Sequence, residues 1–149
     1  MAPNTIPAAY HSSAILLPDA TVLLSQDDMV EFTAGTAGTH QAQVYSPPYL
    51  FAGNRPQITG APSALSLGRT ISITANTPKI VSVVLLAPGA VTHGNDMHQR
   101  FIKLQSRTNG PNLEVTIPAS SSLVPAGYYM LFVVDSRGIP SVAKFVRVS

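Results

Sequence analysis

The sequence predicts an all-β sandwich, and three observations carry that expectation. Short runs rich in Val, Ile, Thr, Tyr and Phe recur along the chain, thirteen Pro and ten Gly punctuate them, and helical periodicity is nowhere sustained. From Pro56 to Ser149, six such runs fall at the spacing of a β-sandwich. They cover roughly 100 residues, the size of an immunoglobulin-like domain.

Taken in order, "YHSSAILL" and "TVLLS" read as two strands around the turn "PDA", an N-terminal β-hairpin extension. A lone hairpin is marginal in water. It is therefore expected to pack along the sandwich or to self-associate through its apolar strand. "SQDDMVEFTAGTAGTH" is small and polar and reads as a loop, and "HQAQVYS" follows as a strand. "RTISITA" and "KIVSVVLLA" come next, then "RFIKLQSRT" and "NLEVTI". Asn109 and Gly110 favour positive φ and predict a hairpin between the last two, with Pro111 lengthening its loop beyond two residues. "GYYMLFVVD" and "SVAKFVRV" are joined through "DSRGIP". Either Tyr128 or Tyr129, after the turn "PAG", is expected to face the core and bond back to that turn, as in the tyrosine corner of sandwich domains.

Composition excludes several classes of function. Cys is absent, so neither disulfides nor thiolate metal sites are available. Charged residues make up 11% of the chain and the net charge is +2, with Arg55, Arg69, Arg100, Arg107, Arg137 and Arg147 standing singly. No nucleic-acid partner is expected from that distribution. No apolar stretch reaches a membrane span, and Met1 to Thr5 carries no basic region leading into an apolar run. The expectation is a soluble chain without a signal peptide or membrane partner, in a compartment left open.

Candidate chemistry centres on the four histidines, His11, His40, His93 and His98. In "VTHGNDMHQR", His93 and His98 are five apart, which places them on opposite faces of a regular strand. They are a poor chelate as a pair, and metal binding by either needs donors from elsewhere. "AYHSS" offers such donors, since a phenolate oxygen with imidazole nitrogens suits a tetragonal Cu(II) site. Tyr10 and His11 are adjacent, so both reach one ion only at a strand end, bulge or strong twist. The residues alone favour reading Tyr10 as a half-buried strand aromatic, and each His as a surface or hydrogen-bonded residue, over metal ligands. Ser12 and Ser13 follow His11 without a nucleophile elbow. Asp27, Asp28 and Glu31 read as solvated charge and "TAGTAGTH" as linker. Asp96 and Arg100 are expected to form an ion pair that fixes the loop around His93.

Four stretches, "YHSSAILLPDATVLL", "VYSPPYLFAGNRPQI", "VTHGNDMHQRFIKL" and "PAGYYMLFVVDSRGIPSVAKFVRV", occur in the same order and at similar separations in the C-terminal part of galactose oxidase and glyoxal oxidase-like proteins. The chain thus resembles the copper radical oxidases over nearly its whole length, apart from about Ser25 to Thr39. The resemblance implies an early-set, immunoglobulin-like sandwich over residues 46–149, preceded in residues 1–45 by a remnant of the last blade of a kelch propeller. It also implies copper (Cu2+) as cofactor. Tyr10 matches the axial ligand and proton acceptor, which makes it the candidate catalytic residue. His11 matches an equatorial ligand, and His93 the ligand reaching up from a sandwich loop. His98 is left a bystander.

The departures shape the functional expectation. The family's radical cofactor needs a second tyrosine cross-linked to a cysteine and shielded by aromatic stacking, and this chain has neither Cys nor Trp. "LLSQDDMVEF" replaces the glycine pair usual after the blade's strand. What is expected is a truncated product or excised piece, a copper-binding module retaining three of four ligands, capable at most of weak oxidase activity such as slow one-electron oxidation of phenols. Its expected partner is a missing propeller domain, or a second copy through the N-terminal hairpin. The family is typically secreted. Two alternatives remain: a non-catalytic structural or accessory sandwich, and a metal-dependent hydrolase using a metal-bound water at the same ligands.

Overall fold

A computed structural model of the chain describes residues 3, 5, 11–25, 41–77 and 79–149. The strands are β1 (Ser13–Leu16), β2 (Val22–Ser25), β3 (Ala42–Tyr45), β4 (Ile58–Gly60), β5 (Ala64–Leu65), β6 (Thr70–Ala75) and β7 (Ile80–Leu86). Then come β8 (Val91–Thr92), β9 (Asn95–Asp96), β10 (Phe101–Asn109), β11 (Asn112–Thr116), β12 (Gly127–Asp135) and β13 (Lys144–Val148). The one helical element among the described residues is a 3-10 turn at Pro48–Phe51. None is long and apolar enough to cross a membrane.

The predicted all-β sandwich forms because β10 serves both of its layers. Its first half, Phe101 to Leu104, pairs with β7, and its second half, Gln105 to Asn109, pairs with β11. The hydrogen-bonded order β4-β6-β11-β10-β7-β12-β13-β5 therefore bends around on itself at this strand. Ile73, Leu113 and Val115 from one layer meet Val83, Leu85, Leu131, Val133 and Val146 from the other in the main core. Each such burial contributes about 1.5–3 kcal/mol before chain entropy is counted.

The middles of β7 and β12, residues 83–85 and 129–133, are buried on both faces, which explains their continuous apolar runs. Val84, Met130 and Phe132 point away from the main core into a second cluster with Ala20, Leu16, Tyr49 and Leu50. The N-terminal strands supply this cover, so the hairpin packs along the sandwich. It is also larger than a hairpin: β3 pairs antiparallel with β2, making a three-stranded sheet.

Side chains lock this small sheet in place. Arg55 donates from Nη1 to the Asp19 carbonyl at 2.7 Å, from Nε to Pro140 at 2.9 Å and from Nη2 to Ser141 at 2.6 Å. One guanidinium thus ties the β1–β2 turn to the β12–β13 connection. The Tyr49 hydroxyl donates to the Ala20 carbonyl at 2.8 Å, and the Ala143 N–H to Pro18 at 2.8 Å.

Two local expectations resolve at the turns. Tyr129 is 2% exposed and its hydroxyl donates to the Pro125 carbonyl at 2.8 Å, the tyrosine corner, while Tyr128 faces outward. Asn109 pairs directly with Asn112, so the β10–β11 loop is two residues and not longer. Gly110 at φ 59 takes the first central position of a II′ turn, and the φ fixed by the ring of Pro111 suits the second.

Candidate metal centre

The sandwich places its polar loop at the end of β7, where the chain leaves the sheet at Leu86 and returns at Phe101. These two residues are register partners, and the Ala87 N–H donates to the Arg100 carbonyl at 3.0 Å, so the excursion closes at its base. Inside it, β8 and β9 pair through Val91 with Asp96 and Thr92 with Asn95. Two residues remain for the turn, His93 at φ 52 and Gly94 at φ 73. Both signs are positive, as a type I′ turn requires. "HG" was the local signal for this hairpin: glycine is at ease there, and histidine is among the few other residue types that visit the left-handed region with any frequency.

The hairpin is held by a carboxylate. Asp96 Oδ1 accepts the N–H of Ala90 at 2.9 Å and that of His98 at 2.9 Å. These bonds, from Ala90 first and His98 second, hold its pKa below the usual carboxylate value. The expected ion pair of Asp96 with Arg100 does not form; Oδ1 turns instead to the two backbone donors of its own loop. Among the described residues the ion pairs are Arg107 with Glu114 and Arg137 with Asp135. His98 has a local role: its Nδ1 lies 3.0 Å from the Pro88 carbonyl.

At the hairpin's tip the His93 imidazole meets the ring of His11. Their centroids are 4.4 Å apart and the planes are inclined by 56°. His11 stands in a turn ahead of β1, outside the regular strand, and β1 lies beside β8. The objection that adjacent strand residues diverge does not bind at a strand end. Both rings are exposed, and Thr92 Oγ1 lies 2.7 Å from His93 Nδ1.

Tyr10, the remaining candidate ligand and the candidate catalytic residue, lies outside the described residues, as does His40. Among the described residues no group of three or more His, Asp or Glu side chains is gathered to hold a metal ion. Two imidazoles, those of His11 and His93, do come together. An ion about 2 Å from each of two ring nitrogens, in neighbouring positions of a tetragonal site, requires ring centroids about 4–5 Å apart. The spacing of His11 and His93 fits that requirement, and nitrogen donors suit Cu(II).

Comparison with known proteins follows the same lines. A family profile for the galactose oxidase-like, early set domain matches residues 55–148. A galactose oxidase of Gibberella zeae is 34% identical over 99% of this chain and 22% of its own length. An aldehyde oxidase of Arabidopsis thaliana, GLOX1, is 32% identical over 99% of this chain and 27% of its own. A solved fungal alcohol oxidase of the AA5 family, in complex with copper, superposes with a TM-score of 0.89 at 30% identity, covering 100% of this chain and 33% of that one. The chain thus spans a third or less of the length of these relatives. The sandwich is an early-set, immunoglobulin-like domain, and the chain belongs to the galactose oxidase-like early set family.

Proposed function

We propose that this chain is a copper-binding module of an oxidase, with Tyr10, His11 and His93 as its protein ligands and at most weak oxidase activity by itself. The observation that supports this reading is the contact between the His11 and His93 rings. Two imidazoles from distant parts of the sequence meet at an exposed site, where core packing does not require them to meet. The Thr92 hydroxyl at His93 Nδ1 would fix the ring's tautomer and orientation, leaving Nε2 as the nitrogen assigned to the metal.

Bound copper would supply one-electron oxidation of a donor such as a phenol. The chain's own residues would do the rest. His11 and His93 would hold the ion through ring nitrogens, and Tyr10 would accept the proton released from the substrate. A propeller domain is the partner that this reading implies, and it would contribute what a third or less of an oxidase lacks.

Copper titration followed by electron spin resonance tests the reading. The expected spectrum shows coupling to two imidazole nitrogens, reduced to that of one or abolished in His93→Ala. Identical spectra for the two proteins would reject it.

One observation favours a second reading, an accessory module without chemistry. Arg55, Tyr49 and Ala143 bind the N-terminal sheet to the sandwich through the polypeptide's own hydrogen bonds. A ligand that prefers the native state must raise its stability. Thermal unfolding unmoved by copper, with no turnover of phenols, would select this reading.

A further inference from the structure

The loop that carries His93 is an excursion of fourteen residues, Ala87 to Arg100, between two paired strands. Strand register closes its base, and the Met97 N–H donates to the Ala90 carbonyl at 3.0 Å. Its tip is exposed. Between base and tip, Asp96 is the side chain that bridges the two arms, accepting the N–H of Ala90 on one and of His98 on the other with the same oxygen, Oδ1.

The other oxygen lies beside Gly89. Oδ2 lies 3.1 Å from the point where a Cβ on Gly89 would stand, and Ile15 Cγ1 of β1 lies 3.1 Å from that point too. The carboxylate and the isoleucine close on the same bare stretch of backbone. A methyl group there would press on both. The absence of a side chain at Gly89 is what lets the loop sit against β1 while Asp96 holds it.

We infer that Asp96 is a positioning residue for His93: it fixes the hairpin's arms, and with Gly89 and Ile15 it sets the distance from that hairpin to the segment bearing His11. The inference rests on the copper reading only for its metal-dependent consequence, since the spacing of the two rings is a property of the metal-free protein. Loss of Asp96 leaves the Ala90 and His98 N–H groups to water at an exposed site, so the sandwich keeps its stability while the tip samples more orientations. Outer partners of metal ligands act this way, and their removal commonly weakens metal affinity 10- to 100-fold, to give about that range here.

The test compares Asp96→Ala, Asp96→Asn and, as a control on β11 opposite Arg107, Glu114→Ala in the 149-residue chain. Metal-free proteins are first examined by NMR for proximity between the ring protons of His11 and His93. Copper is then titrated as the metal alone, with affinity and spin-resonance parameters recorded. Asp96→Ala is expected to lose the ring-to-ring contact and to bind copper about 10- to 100-fold more weakly with an altered spectrum. Asp96→Asn keeps an Oδ1 acceptor and is expected to stay within about threefold of wild type, and Glu114→Ala to match it. An Asp96→Ala protein with the ring contact intact overturns the inference, whatever copper does. Failure of the wild type to bind copper sinks the functional reading but leaves the NMR comparison to decide this one.

Discussion

The imidazole of His11 lies 4.4 Å from that of His93, centroid to centroid, although one stands just ahead of the first strand and the other at the tip of the β8–β9 hairpin. If both nitrogens serve one ion, each ligand's value depends on the other. His11→Ala and His93→Ala should therefore be strongly non-additive in copper affinity, with a coupling of about 1–3 kcal/mol in a double-mutant cycle by calorimetric titration. Additivity to within about 0.5 kcal/mol would show that the rings do not share an ion.

Arg55 is the clamp between the N-terminal sheet and the sandwich, with three carbonyls on one guanidinium. Hydrogen bonds from charged donors are worth more than neutral ones, but this group is partly exposed. Arg55→Ala should cost about 2–4 kcal/mol in urea unfolding. Arg55→Lys should recover less than half of that loss, because an ammonium cannot reach three divergent acceptors from one plane. A lysine variant as stable as wild type would mean that only the charge matters.

Phe132 and Val81 make a matched pair for the two-sided burial of the central strands. Phe132 is 2% exposed beneath the N-terminal sheet, whereas Val81 on β7 is 61% exposed. Phe132→Ala should cost about 3–5 kcal/mol, and Val81→Ala within about 0.5 kcal/mol of nothing. Because the outer cluster also contains Leu16 and Ala20, the Phe132 variant should in addition loosen β1 and β2, seen as faster amide exchange there than in β6 and β11.

Acid should destabilise the fold through carboxylates whose pKa values are lowered in the native state. At Asp135, burial pushes the carboxyl up, but the Arg137 side chain and the N–H groups of Ile139 and Arg137 outweigh it and hold it low. Asp19 is lowered chiefly by the Thr21 hydroxyl and then by its N–H. A depressed carboxylate contributes stability that is fully present above its unfolded value, about 3.9, and is lost as pH falls through the lower folded value. Stability from these groups should be level from about pH 5 to 7 and decline below about pH 4, with Asp135→Asn flattening that decline. An acid limb unchanged in Asp135→Asn would remove that residue from the account.

Much of this architecture is legible in the sequence where the signal is local. Alternation and β-branched residues mark β6, β7, β10 to β13, and "PAGYY" marks the corner that Tyr129 makes with Pro125. What escapes is what only tertiary pairing creates. Strand β5 is two residues, Ala64 and Leu65, defined by parallel pairing with Arg147 and Val148, and nothing near it in the chain announces it. The Arg55 clamp likewise joins groups contributed by three separate segments. At the candidate site, the family resemblance points to Tyr10, His11 and His93, and the structure adds the backbone bonds that hold the His93 hairpin. Asp96 reads as a salt-bridge partner in sequence because Arg100 lies four residues on, yet backbone donors nearer at hand take both of the bonds that Oδ1 makes.

His93 occupies a backbone position that a turn alone would not choose for it. At φ 52, ahead of Gly94 at φ 73, the first central position of a type I′ turn favours Asn, Asp or Gly. Histidine visits the left-handed region more often than most side chains, but Asn suits this turn position better. His93→Asn should therefore leave the metal-free protein as stable as wild type or more so, by about 0.5 kcal/mol, the scale of exposed turn substitutions. With copper at about 100 times its dissociation constant, the wild type should gain about 2.7 kcal/mol and the variant far less. Thermal unfolding of both proteins, with and without the metal, reads the two effects separately. A variant destabilised without metal and still protected by copper would show that His93 serves the turn and not the ion.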